Sequence, residues 1–387
     1  MQNHIFKVSD IRGIVPTELS MQDSYDITKA AVKWFSQQSP NLQRIAVAFD
    51  GRLYGQEMYH QVAQAIIDAG YQVYFLGICP TPVFVFGLHQ LPVQAGIMIT
   101  ASGSSAQFNG FKFFLHKNLV QGLELLQIYE IVQQQKPDTT VSNLGKIIPC
   151  PIMEQYVDSL WQEFAHLSQY DFSVLVDCGN GTTGPVMKKL IHRMGWKQVQ
   201  LLCDQVDGNF PVHVPNPFDA KNMNYLKSEL QKTKKMFGVA FDGDGDRMLA
   251  LDDQGSLVCG DRLSAMFAQD ILAKYAHRMI VTDIKSEQLS TFFMQAHGKS
   301  IVVENCLKAL SDAMVQHQAI FAAQMHGRFF FKDRHPGCYS DGIYSLLRLF
   351  DLLVKNRTTF TDMLERIDEQ MNVMHIKTDI PENIKEL

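Results

Sequence analysis

The sequence predicts an α/β protein built from three consecutive, similar α/β domains with mixed sheets covered by helices. One unit recurs along the chain: an apolar strand, an acid, a polar turn and an amphipathic helix. Residues 45–49 lead through Asp50-Gly51-Arg52 to a helix over 57–69. Residues 174–176 lead through Asp177-Cys178-Gly179-Asn180-Gly181 to a helix ending at Met194. Residues 279–282 lead through Asp283-Ile284-Lys285 to a helix ending near Ala296. Such units build sheets with helices packed on their faces. At 387 residues the chain also exceeds what one hydrophobic core fills.

Residues 6–15 form a strand-like run interrupted by Asp10 and Arg12. The spacing of Tyr25, Ile27, Ala31, Val32 and Phe35 predicts a helix over 24–35. A strand follows at 71–76, and Pro80-Thr81-Pro82 opens a segment reaching Gly87. Residues 96–100 read as a buried strand ending in a turn of small residues that exposes the Ser102 hydroxyl, and Asn109-Gly110 makes a second tight turn that presents Lys112. An accessible serine with a base nearby is a candidate nucleophile. Polarity rises over 133–143 and 255–261, placing domains at 1–145, 146–255 and 256–368, with 369–387 remaining.

Residues 239–241 and 248–251 read as two strands flanking Asp242-Gly-Asp-Gly-Asp-Arg247. Three carboxylates at every second position repel one another unless a cation relieves them, and Gly243 and Gly245 let the backbone turn Asp242, Asp244 and Asp246 onto one ion. Three hard oxygen ligands suit Mg²⁺. Arg247 is placed to bind a phosphate oxygen. A calcium loop of the helix-loop-helix type needs Gly and Glu where Arg247 and Asp253 stand. An aspartyl-phosphate phosphatase remains compatible with this loop alone.

A net charge of −5 without a basic block argues against a nucleic-acid partner and an anionic membrane surface. No apolar run reaches membrane-spanning length, and the first residues lack the apolar core of a signal peptide, so a cytoplasmic location is expected. The 7 cysteines are scattered and contain no Cys-x-x-Cys pair. That argues against a disulfide framework and against a zinc site.

Asp10-Ile-Arg-Gly13, Asp50-Gly-Arg52, Pro80-Thr-Pro82, Thr100-Ala-Ser102, Asn109-Gly-Phe-Lys112, the Asp242 to Arg247 loop and Asp341-Gly-Ile343 stand in an order and at spacings that resemble the α-D-phosphohexomutases. The bacterial phosphomannomutase/phosphoglucomutase branch is the nearest in pattern, and the motifs span nearly the whole chain. The resemblance implies interconversion of hexose 1- and 6-phosphates of glucose or mannose, an isomerase of carbohydrate metabolism working through a phosphoserine and Mg²⁺. Matched motif by motif, Ser102 is the phosphoserine and, with Asp242, Asp244 and Asp246, a metal ligand. Arg247 and Arg12 support its phosphate, and Lys112 assists proton transfer. Lys285, Gln324, His326 and Arg328 are the expected substrate-binding residues.

The chain departs from that pattern in four places. Ser102 is followed by Gly103-Ser104-Ser105 in place of His-Asn-Pro, which leaves Ser104 or Ser105 as competing phosphorylation sites. Gln324, His326 and Arg328 replace Glu, Ser and His of the sugar loop, and Asn305-Cys306-Leu307 replaces Thr-Gly-His. The phosphate-clamping fourth domain is expected to be lacking, with residues 373–380 alternating like its first strand and 381–387 opening a helix. An edge of that kind invites self-association. The second expectation is therefore a catalytically impaired relative that keeps fold and metal loop and binds sugar phosphates or a protein partner. A phosphatase-like hydrolase is the third.

Overall fold

A computed structural model describes residues 3–134, 145–283, 287–334 and 339–378. Three mixed sheets lie along it. In the first, the order is Ile11–Ile14, Phe108–Leu115, Ala95–Ile99, Arg44–Phe49, Gln72–Ile78 and Ile147–Pro149, with Asn118–Leu119 also beside Phe108–Leu115. The second runs Leu257–Val258, Met248–Leu251, Phe237–Phe241, Val174–Asp177, Val199–Leu202, and the third Arg328–Phe331, Phe321–Gln324, Met279–Asp283, Lys299–Val303.

The three sheets share one arrangement. A hairpin strand sits parallel to the strand of the recurring unit, and that strand sits parallel to one more. The antiparallel hairpins are Ala95–Ile99 with Phe108–Leu115, Phe237–Phe241 with Met248–Leu251, and Phe321–Gln324 with Arg328–Phe331. The strands at their centres read as unbroken apolar runs because both faces are covered by helices.

The helices match the expected spacing with small extensions at their ends. Met21–Gln38 begins three residues before the predicted start because Ser20 and Asp23 form a capping box. The segment after Pro80 is a helix, Thr81–Gln90, with Pro82 in its first turn. Residues 373–378 are helical, the end of Phe360–Thr378, and not a strand. Their alternation conceals a continuation of the preceding helix, which no Gly or Pro interrupts. The remainder of the expected strand, the helix opening at 381 and the edge invoked for self-association lie outside the described residues, as does most of 133–143. Among the described residues no helix is long and apolar enough to cross a membrane.

One core runs continuously from the first sheet through the second to the third, including Phe84, Tyr156, Phe164, Phe237, Phe267, Phe329 and Phe350. Asp341 ties this core to the acidic loop. It caps the helix Gly342–Asn356 by accepting the Tyr344 N–H at 2.9 Å, and it accepts the Tyr156 hydroxyl at 2.7 Å. The next residue must be glycine, because a Cβ there would lie 2.9 Å from the carbonyl oxygens of Arg247 and Gly245. The Gly342 N–H donates to that Gly245 carbonyl at 3.0 Å.

Burial raises Asp341 from the ordinary 3.8 to about 6. Between those values the native state holds the proton more tightly than the unfolded chain, so stability falls as pH rises from 4 to 6. Asp341→Asn keeps the cap and removes the titration. The wild-type stability, measured by thermal denaturation against the variant's, is expected to drop by roughly 2 kcal/mol more across that window. Parallel pH profiles would contradict the shift.

Candidate active site

Ser102 lies in the hairpin loop of the first sheet, with φ +51° and 1% of its surface exposed. A non-glycine residue in the left-handed region is held there by its surroundings. The Ser102 N–H donates to Thr100 Oγ1 at 2.9 Å, and Thr100 donates in turn to Asp50 Oδ2 at 2.6 Å. Arg52 reaches the loop from inside. Its Nη2 donates to the carbonyls of Ser102 (2.5 Å) and Ser104 (2.6 Å), and its Nη1 to those of Ser105 (2.9 Å) and Phe108 (3.1 Å). The fixed planar fork of a guanidinium suits four converging carbonyls.

The Ser102 hydroxyl donates to Asp242 Oδ2 at 2.8 Å and accepts from Arg247 Nη2 at 3.1 Å. Two separate sheets therefore meet at this oxygen. Asp242, Asp244 and Asp246 occupy the corresponding hairpin loop of the second sheet, are all buried, and present one oxygen each within 4.8 Å of the others. Their charge is answered from three directions. Arg247 Nε pairs with Asp242 at 2.7 Å. Lys112 Nζ bridges Asp244 (2.5 Å) and Asp246 (2.8 Å), and Arg328 Nη2 reaches Asp246 at 3.0 Å.

Those pairings split the three acids. Burial raises Asp242 to about 7 despite Arg247. Burial is the largest single influence on Asp244 and Asp246, but Lys112, Thr81 and Arg328 together outweigh it at the first and Arg328, Lys112 and Arg247 together at the second, and both are held below the ordinary carboxylate range. For Lys112, burial is overcome by Asp244 and Asp246, which raise it above the usual lysine value. Lys112 is thus an ammonium at neutral pH.

The third sheet delivers its hairpin loop, Met325 to Gly327, to the same place, and the Met248 N–H donates to the Gly327 carbonyl at 2.9 Å. Of the expected substrate-binding residues, Arg328 faces Asp246, Gln324 is buried and donates to Asn305 Oδ1 at 3.3 Å, and the His326 ring lies 4.1 Å from that of Phe218. Lys285 lies outside the described residues. Arg12 is directed to Asp10 and to Ser104 Oγ at 2.8 Å, so it holds the neighbour of Ser102 and not Ser102 itself. Cys306 caps the helix Leu307–Gln316, its sulfur accepting the Ala309 N–H.

Several contributors have partners that the sequence alone does not reveal. Thr81 donates to Asp244 at 2.6 Å, Ser340 donates to the Asp246 carbonyl at 2.5 Å, and Asn216 Oδ1 accepts from Arg247 at 3.1 Å. Arg52 stood in a recognised motif, but its four carbonyl partners are visible only in three dimensions. A cleft of about 810 Å³ opens between the first and third sheets, lined by Lys112, Asp246 and Arg328 together with His89, Lys308 and Lys332.

Three family models match the chain: phosphoglucomutase/phosphomannomutase alpha/beta/alpha domain I over residues 3–138, domain II over 154–255 and domain III over 259–370. The chain belongs to the α-D-phosphohexomutase family. A phosphomannomutase/phosphoglucomutase of Pseudomonas putida is 30% identical over 387 residues, covering 100% of this chain and 81% of that protein. A phosphoglucomutase of Neisseria gonorrhoeae is 30% identical, covering 98% and 81%. A phosphoglucomutase/phosphomannomutase family protein of Burkholderia thailandensis superposes with a TM-score of 0.86 at 27% identity, over 96% of this chain and 80% of that one.

The acidic triad of this phosphohexomutase fits Mg²⁺. Its donors are hard oxygens, and Asp244 Oδ1 is buried without a hydrogen-bond donor among the described residues. Asp242, Asp244, Asp246 and the Ser102 oxygen would hold the ion. Positioning of that oxygen rests on Arg52, whose Nε also pairs with buried Asp50 at 3.3 Å, and Arg52→Met would leave Asp50 without its cation. A loss of about 3–5 kcal/mol is expected, measured as a lowered melting temperature. An unchanged melting temperature would show that the loop holds itself.

Proposed function

We propose that the chain interconverts hexose 1- and 6-phosphates through a phosphoryl group carried on Ser102, as a phosphomannomutase/phosphoglucomutase. The observation that supports this most is the Ser102 hydroxyl standing between Asp242 and Arg247, at 2.8 and 3.1 Å. The comparisons favour this phosphohexomutase-like function over an impaired relative.

In this reading the phosphoserine Oγ–P bond breaks as a hydroxyl of the hexose monophosphate takes the phosphoryl group. The hydroxyl's proton leaves to solvent, and the freed serine oxygen takes one from solvent. The bisphosphate then turns over and returns its other phosphoryl group to Ser102. Such a transfer needs its equatorial oxygens neutralised and its reacting oxygens in line more than it needs a strong base. Bound Mg²⁺ would draw negative charge from the transferring phosphoryl oxygens. Arg247 is placed to do the same from the protein side. Lys112, held as an ammonium by Asp244 and Asp246, supplies positive charge beside the transferring group.

Ser102 is 1% exposed and is not among the residues lining the cleft. Transfer therefore requires the segment beside Arg247, whose Pro215 carbonyl and Asn216 Cβ crowd Gly103, to move off the serine. Hexose phosphate would lie in the cleft with Arg328 and Lys308 toward its phosphate. The sugar loop differs from the family's pattern at Gln324, His326 and Arg328, so glucose and mannose phosphates are the substrates to compare.

Protein incubated with Mg²⁺ and glucose 1,6-bisphosphate is expected to gain one phosphate at Ser102 by mass spectrometry. It is also expected to convert glucose 1-phosphate or mannose 1-phosphate in a coupled assay. Ser102→Ala should abolish both, and Ser104→Ala should retain them. Phosphate at Ser104 that survives in Ser102→Ala, or turnover equal to that of Asp244→Asn, would refute the reading.

A further inference from the structure

A second cluster of potential ligands lies in the second sheet, apart from the acidic triad. Asp177 ends the strand Val174–Asp177, Cys203 follows the parallel strand Val199–Leu202, and His213 stands in the segment leading to Asn216. Asp177 and Leu202 are register partners, so the sheet itself sets Asp177 beside Cys203 at the strands' carboxyl ends. One carboxylate oxygen, one sulfur and one imidazole nitrogen lie within 4.8 Å of one another. The three residues share no sequence spacing, and for that reason a motif search for zinc passes over them.

We infer that Asp177, Cys203 and His213 form a binding site for a soft or borderline divalent cation of the zinc class.

The geometry around the trio supports a ligand set. His213 Nε2 is 2.8 Å from Asp177 Oδ2, while its Nδ1 faces the Val214 carbonyl at 3.0 Å. A ring nitrogen that donates to a backbone carbonyl while the other faces the ion is the usual orientation of a metal-bound histidine. Asp177 Oδ1 is already oriented by the Gly179 N–H at 2.8 Å, and among the described residues no Lys or Arg pairs with this carboxylate. Cys203 is held at φ +48° by the Asn180 N–H donating to its carbonyl at 2.8 Å, a left-handed conformation that its surroundings impose.

Donor chemistry decides the class. Thiolate, imidazole and one carboxylate suit zinc, whereas Mg²⁺ takes oxygen ligands. Asp177 is buried and Cys203 and His213 are partly exposed, so a fourth ligand would come from solvent. On binding, metal–sulfur and metal–nitrogen bonds form as the thiol proton and the proton on Nε2 leave to solvent, with no change of oxidation state. The site also has a structural consequence. Asn216, three residues after His213, accepts from Arg247, and the intervening Pro215 carbonyl accepts the Gly243 N–H at 3.1 Å. A cation at His213 would pin the root of the segment that covers Ser102.

The test does not depend on mutase activity. Chelator-treated protein in excess Mg²⁺, which occupies the acidic triad, is titrated with Co²⁺. A near-ultraviolet thiolate-to-cobalt band saturating at a single equivalent and displaced by Zn²⁺ is expected. Cys203→Ser should remove the band, and both it and His213→Gln should weaken Zn²⁺ binding, measured by competition with a chelating dye, about tenfold or more. Circular dichroism identifies variants that fold. No band in the wild-type protein, a band that survives Cys203→Ser, or unchanged Zn²⁺ affinity in folded His213→Gln would overturn the assignment.

Discussion

Three carboxylates closed off from water at one point of a protein are unstable without counter-charge, and the architecture is arranged around supplying it. Asp242, Asp244 and Asp246 come from one loop, while Lys112 comes from the first sheet, Arg247 from the loop itself and Arg328 from the third sheet. Each ion pair is desolvated, so its Coulombic gain is largely offset, yet removing one partner leaves a buried charge at a cost of about 3–5 kcal/mol. The cluster thereby specifies how the three sheets meet. It also explains the split titration of the acids: the two that face Lys112 and Arg328 stay ionised, while Asp242, which faces the serine hydroxyl and Arg247, is raised by burial.

The convergence has a topological cause. In each sheet the same hairpin, next to the parallel pair, turns at the carboxyl edge of the neighbouring strands, where open α/β sheets place their ligand sites. The first hairpin's turn carries Ser102, the second's the aspartates, and the third's Met325 to Gly327. Packing the three units side by side brings equivalent loops together, and small residues permit the approach. A Cβ on Gly243 would lie 2.6 Å from the Ser102 carbonyl, and one on Gly327 would lie 2.4 Å from that of Met248. The proposed zinc-class site uses the same edge of the second sheet, one strand further along.

The recurring units, the serine turn and the acidic loop were legible because each is local: alternation, small residues or charge within a few positions. Partners separated by long stretches of chain were not. Arg52 reads as the end of a turn, yet its guanidinium supports the serine loop some fifty residues away. Arg328 reads as a substrate ligand by motif, and its pairing with Asp246, eighty-two residues earlier, is visible only in the fold. The end of the last described helix was misread because period-two alternation over a few residues also fits a helix when no breaker intervenes. Asp177, Cys203 and His213 show why an absence of motif excludes little: a parallel sheet brings together residues that no spacing rule connects.

Phosphorus-31 resonance of the phosphorylated protein tests most directly whether a cation in the aspartate cage sits against the Ser102 oxygen. With Mn²⁺ in place of Mg²⁺, the phosphoserine line is expected to broaden beyond detection and to return in the Asp244→Asn variant. A sharp phosphoserine line in protein shown to bind Mn²⁺ at the triad would contradict the juxtaposition on which the mechanism rests.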